Sequence, residues 1–97
     1  MNENDNAVST IPTWHAFLRP VLEVMSDGRQ WPSRALKEAV CDHVGLTPDQ
    51  RAEKLGDGDS RALNRVGWAL SALYRAKAVD KPARGVNVIT DFGREFL

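Results

Sequence analysis

Apolar residues recur at three-and-four spacing near the start of the chain, where Trp14, Phe17, Leu18, Val21, Leu22 and Met25 mark one buried helical face. Thr13 stands as its N-cap and Asp27-Gly28 as its end, and Pro20 inside the pattern removes a backbone donor and predicts a kink in a single helix. Gly28 to Pro32 is extended, because Trp31 precedes a proline, and has room for a very short strand. Ser33 is expected to cap a second helix with a stripe of Leu36, Ala39, Val40 and Val44, closed by Gly45. Thr47-Pro48-Asp49-Gln50 repeats the start signal as a capping box with proline at the first helical position, opening a short third helix that ends near Leu55. The Gly56 to Ser60 loop follows, with Asp59 or Ser60 capping a long helix from about Arg61 to Lys77. Val79 begins a strand, Lys81 to Gly85 turns the chain, and Val86 to Ile89 returns as the second strand of a hairpin. Thr90-Asp91 then opens a last helix that the sequence cuts off at Leu97. This order predicts a mostly α domain with a small β-hairpin, a winged helix-turn-helix.

At about 100° per residue, Val66, Ala69, Leu70 and Leu73 share one sector of the long helix and should pack on the first helix. Arg61, Asn64, Trp68, Ser71 and Arg75 fall opposite, the face that a helix-turn-helix offers to the DNA major groove. Trp68 therefore points away from the core stripe. Tryptophan is usually well buried, so the expectation is that it packs on the wing base, the 57–60 loop or a C-terminal segment beyond Leu97, with Gly67 giving room to a neighbouring backbone; contact with DNA is the competing reading. Asn64 is a poor helix former whose amide could bond an adenine edge or make a local cap.

Charge sharpens the picture only through its distribution. Thirteen basic and thirteen acidic residues cancel, yet residues 1–57 carry six Lys/Arg against nine Asp/Glu, net −3, while residues 58–97 carry seven against four, net +3. Exposed charge on a helix is ordinarily a solvated face, but Arg61, Arg65, Arg75, Lys77, Lys81 and Arg84 share a stretch in which Asp80 is the one acid between Ser60 and Gly85. Pro82 stiffens the turn and Gly85 permits its geometry, which should place Arg84 at the hairpin tip. The candidate DNA-contact set is accordingly Ser60, Arg61, Asn64, Arg65, Trp68, Ser71, Arg75, Lys81 and Arg84. With 97 residues the chain is one small module, and residues 1–10 read as a disordered polar tail before a folded domain over 11–97. That tail lacks the features of a signal peptide, and no stretch approaches membrane-spanning length, so a soluble cytoplasmic protein with no membrane partner is expected. Cys41, the lone cysteine, precludes an internal disulfide and reads as a small core residue.

No catalytic constellation is visible. A restriction-type nuclease needs clustered carboxylates and a lysine on a metal, and Glu53 and Lys54 are adjacent, aimed at different sides of a helix. Cys41 and His43, two apart, cannot share a helical metal site, and Gly56-Asp57-Gly58-Asp59 lacks the lysine of a phosphate-binding loop. No metal, no cofactor and no catalysis by this chain alone are expected.

Asn64 to Ala69 (NRVGWA), Leu73, Ala76, the Arg84-Gly85 turn, and Ile89-Thr90 followed by Gly93 give the chain its family character. With Ile11-Pro12-Thr13, Asp27-Gly28 and Gly45-Leu46-Thr47, these residues resemble the N-terminal domain of Mrr-like restriction-system proteins over residues 11–97. The resemblance implies a winged-helix module placed before a metal-dependent nuclease domain in proteins that cut foreign, often modified, DNA. The chain departs from the pattern at Trp31 and Leu70, where polar residues are expected, and at Ala78, where a leucine is usual. The function so implied is a DNA-binding specificity module, with double-stranded DNA, methylated or otherwise modified duplexes included, and the parent's nuclease domain as partners. The alternatives are a protein-interaction winged helix that docks on a nuclease domain or another partner, and a free-standing DNA-binding regulator.

Overall fold

The computed structural model describes residues 9–97, a winged helix whose three-stranded sheet lies beside a helical core. The helical run at the start comes in three pieces, a 3₁₀ turn at Trp14–Phe17, α1 at Leu18–Val24 and a second 3₁₀ turn at Met25–Asp27. This replaces the single kinked helix expected around Pro20. The proline occupies the third position of α1, among the amides that have no partner within an α-helix, so its missing N–H costs no helical bond.

Trp31–Pro32 form β1, the short strand anticipated from the proline. Helix α2 spans Ser33–Val44 and buries Leu36, Val40 and Cys41, with Ala39 and Val44 packed at the edge of the core. Ser33 is not its side-chain cap. Pro32 holds the cap position, and Ser33 donates its amide (2.9 Å) and hydroxyl (3.3 Å) to the carbonyl of Gly85 in the hairpin. Gly45 closes α2 at φ 81°, where a glycine adopts the left-handed conformation without a Cβ penalty. Helix α3, Pro48–Ala52, carries the expected capping box between Thr47 and Gln50. It stops short of Leu55 because Glu53 turns extended and Lys54 bridges Ser60 in antiparallel fashion. Arg51 ties α3 to α2 through Asp42 (2.6 Å) and Glu38 (3.1 Å).

Helix α4, Arg61–Arg75, is capped by the Ser60 hydroxyl, which accepts from the Leu63 amide. It ends before Lys77 because that residue turns left-handed at φ 68°. The Lys77 amide bonds the Tyr74 carbonyl and the Ala78 amide the Leu73 carbonyl, a Schellman closure that places a lysine where glycine is usual. Strands β2 (Val79–Ala83) and β3 (Val86–Ile89) form the hairpin, and β3 lies between β2 and β1. Strand β2 runs on through the expected turn to Ala83 and leaves Arg84-Gly85 as the tip. One extra residue bulges from β2 between Asp80 and Ala83, around Pro82, which has no donor for the ladder. Short helix α5, Asp91–Arg94, is capped by Thr90, whose hydroxyl accepts from the Gly93 amide and donates to the Lys77 carbonyl (2.7 Å).

Phe17, Val21, Met25, Leu36, Val40 and Val66 are fully buried at the centre, where α1, α2 and α4 meet. Cys41 is part of this core, and burial pushes its thiol above the ordinary range. The disordered tail expected over residues 1–10 lies outside the described residues for 1–8. Thr10, however, accepts from Gln50 Nε2 through its carbonyl (3.2 Å) and its hydroxyl (3.1 Å).

Two substitutions around the junction of the α4 end with α5 should move stability in opposite directions. A Cβ at Gly93 would run into the Ala78 carbonyl and lie 3.0 Å from Ile89 Cγ1. Gly93→Ala should cost about 1 to 3 kcal/mol, the range for overpacking. Lys77→Gly relieves a left-handed side chain and, after the added freedom of the unfolded chain, should gain about 0.5 to 1 kcal/mol. Urea denaturation of both variants checks the pair; a loss in Lys77→Gly would contradict the strain at the helix end.

Candidate nucleic-acid interface

The NRVGWA segment divides its side chains between the core and solvent one by one. Val66 and Ala69 are fully buried against α1 and α2. Arg65 turns back along the domain, and its Nη1 donates to the carbonyls of Ile11 (2.7 Å) and Pro12 (3.2 Å). Burial, and secondarily the charge of Arg61, pushes its guanidinium below the usual arginine value, which still leaves it charged. Asn64 and Trp68 point outward, Trp68 with 56% of its surface exposed. Among the described residues, the expected packing of Trp68 on the wing base or the 57–60 loop is not found, and this part of the expectation is corrected. The Asp57 to Ser60 loop bends back to bridge Lys54, and the wing base is engaged by Tyr74 and Lys81, so neither covers the indole. Gly67 does not face a neighbouring backbone either; its nearest neighbour is the side chain of Lys37, whose Nζ would lie 3.3 Å from a Cβ there. A glycine inside a helix costs about 1 kcal/mol relative to alanine, and here it leaves the lysine room.

Arg61 also departs from its expected sector. It is 8% exposed, and its Nε forms an ion pair with Glu53 at 2.6 Å, linking the start of α4 to the segment after α3. Helical projection places it in the outward sector, about 20° from Trp68; it is buried because the Glu53 segment returns over the first turn of α4 and also accepts the Arg61 amide at 3.1 Å. Arg61 and Arg65 are thus committed to the fold.

The structure brings together Ser60, Asn64, Trp68, Ser71 and Arg75 along one outward line of α4. Ser60 is half-buried and engaged as the cap, and Arg75 Nη1 donates to Ser71 Oγ at 2.9 Å, which holds the guanidinium along the helix. Asn64 and Arg75 are separated by about 16 Å at 1.5 Å per residue. At the C-terminal end of this line, the Lys81 ammonium sits 4.8 Å from the centre of the exposed Tyr74 ring. Arg84 is exposed at the wing tip. Its neighbour Gly85 is bonded to Ser33, so the tip lies at the start of α2 and not free in solvent.

Three cations belong to this surface that the sequence reading missed. Arg34 and Lys37 on α2 and Lys54 after α3 line an open cleft of about 410 Å³ together with Ser60 and Asn64. They lie outside the basic C-terminal stretch, so a scan of charge along the chain passes over them. The signal that could have found them is the i, i+3 spacing of Arg34 and Lys37 on the polar side of the second helix. Among the described residues, no group of three or more His, Cys, Asp or Glu side chains could hold a metal ion, and no helix is long and apolar enough to cross a membrane.

Comparison with known proteins places this geometry in context. The family model described as the Mrr N-terminal domain matches residues 14–97. The chain is 33% identical, over 89 residues, to the type IV methyl-directed restriction enzyme EcoKMrr of Escherichia coli (strain K12). That match covers 91% of this chain and 29% of the length of the relative. No solved structure matches the chain.

The bonds of Arg65 to the chain start have a measurable consequence. Arg65→Ala should destabilise the domain by about 1 to 2 kcal/mol, toward the low end for bonds to a charged donor because the side chain is part-exposed. Hydrogen exchange should quicken around residues 11–13. An unchanged melting temperature and unchanged protection there would contradict the anchoring role.

Proposed function

The chain belongs to the Mrr N-terminal domain family, and from that premise we propose that it is the DNA-binding specificity module of an Mrr-like restriction system. Helix α4 enters the major groove of double-stranded DNA, and the wing lies along the backbone or the minor groove. The observation that carries this reading is the outward line of α4, where an exposed indole stands between an amide and a hydroxyl, with an arginine at the end. Asn64 offers the donor and acceptor pair that suits an adenine edge, and Trp68 offers an apolar face suited to a pyrimidine methyl group. Arg75, Lys81 and Arg84 supply contacts to phosphate, which position without specifying. Ser60 and Ser71 complete the surface as short hydroxyl donors. Arg61 and Arg65 have no place in it.

The relative's name describes it as methyl-directed, which supports including methylated duplexes among the substrates. In this reading the module delivers bound DNA to a metal-dependent nuclease domain of the parent protein, so chemistry is not assigned to the residues of this chain.

A second reading, docking on a nuclease domain or another protein, is favoured by a different surface. An apolar groove of about 460 Å³ runs between α1 and α4, lined by Trp14, Leu18, Leu22, Leu73, Ala76 and Phe96. Substitution at Phe96 separates this reading from the first, since Phe96 and Trp68 line different surfaces.

Mobility-shift titrations on unmodified, methylated and hydroxymethylated duplexes at low salt test the proposal. At least one duplex should be retained, and Trp68→Ala should weaken that complex by about 1 to 3 kcal/mol without lowering the melting temperature. Absence of a shift with all three duplexes would overturn the DNA-binding reading.

A further inference from the structure

We propose that the open cleft at the N-terminal end of α4 seats phosphates of one duplex strand, held chiefly by Lys37 and Lys54; this rests on the DNA-binding reading above. The cleft is lined by Arg34, Lys37, Lys54, Asp59, Ser60 and Asn64, with Leu63 and Gly58 between them. Its cations come from α2 and from the segment after α3, neither of which belongs to the reading helix. Arg34 shares its charge with Glu38 through an ion pair at 3.2 Å, and Asp59 is the carboxylate on the cleft wall. Lys37 and Lys54 are ion-paired to no described residue, so their charge is available to an incoming anion.

Lys37 is aimed by packing. Its stem reaches the outer face of α4 at Gly67, and a shallow notch over that glycine, lined by Lys37, Asn64, Trp68 and Ser71, is shared with the reading line. The lysine of one helix therefore lies beside the base-reading residues of the other, and does not trail into solvent off α2.

The arrangement along α4 matches a duplex groove in its order of charge. Cations of the cleft flank the N-terminal half of α4, with Lys37 reaching as far as Gly67, uncharged Asn64, Trp68 and Ser71 line the outward face beside them, and Arg75 with Lys81 stands at the C-terminal end. Gly67, where the tip of Lys37 lies, and Arg75 are eight residues apart, about 12 Å along the helix, which matches the roughly 12 Å width of a major groove bounded by two phosphate backbones. Three cations and a hydroxyl around a cleft with little apolar floor suit a polyanion. An acidic protein segment is the other occupant of similar charge, and the test separates the two.

The test is the salt dependence of duplex affinity in the intact chain, for wild type, Lys37→Ala, Lys54→Ala and Lys37→Arg, with melting temperatures verifying the fold. Each alanine variant should lower the slope of log affinity against log salt by about 1 and weaken all duplexes alike, while Lys37→Arg keeps the slope. Asp59→Asn should tighten binding. Unchanged slopes in both alanine variants, with binding still weakened in Trp68→Ala, would overturn the phosphate seat and leave the DNA-binding reading standing. A wild-type chain that binds no duplex at low salt but binds an acidic peptide would overturn both.

Discussion

Ala78 gives both of its backbone groups to other parts of the chain, and the domain is built around that junction. Its amide closes α4 through the Leu73 carbonyl, and its carbonyl accepts from the Thr90 amide at 3.1 Å. The carbonyl also faces the Cα of Gly93, where a side chain would collide with it. One buried residue thus ends the long helix, leads into the hairpin and seats the last helix. Ala78 is itself fully buried, at the floor of the apolar groove between α1 and α4.

The charged residues of α4 divide according to what surrounds them. Arg61 and Arg65 lie where the chain returns over the helix, and each finds an acid or carbonyls to hold. Arg75 lies beyond that cover and bonds along its own helix, to Ser71. A buried guanidinium needs its donors satisfied, so these two arginines act as cross-links between distant segments. Between the cleft and Arg75, the outward face is left with neutral polar groups and an indole.

The element order was legible because each element carries local chemistry. The capping box at Thr47, the glycine at 45, the proline after Trp31 and the Thr90 cap each act within a few residues, and each appears in the structure as the sequence suggested. The core stripe of Val66, Ala69, Leu70 and Leu73 was legible for the same reason, as a periodicity inside one helix. What was not legible depends on residues far apart in sequence. Arg61 is buried by a loop whose return is set by the Lys54 and Ser60 bridge, and Arg65 is claimed by carbonyls 54 and 53 residues away. Ser33 gave its hydroxyl to a carbonyl 52 residues distant and not to its own helix. Lys37 entered the candidate surface only because Gly67 on another helix is bare. The single long helix end at Lys77 failed for a subtler reason, since left-handed geometry was read from glycines alone.

The hairpin tip is fastened at several points. Gly85 accepts two bonds from Ser33, and the buried amide of Asn87 donates to the Trp31 carbonyl (3.1 Å) and to Ser33 Oγ (3.0 Å). An arm that orders only on contact trades affinity for adaptability. This wing makes the opposite trade. Its shape is settled before any encounter, so association costs little conformational entropy, but the wing cannot stretch or narrow to suit what it meets. On the proposed DNA-binding reading, a duplex must therefore conform to the wing, and duplexes that differ only in curvature or groove width would be told apart by how much deformation that takes.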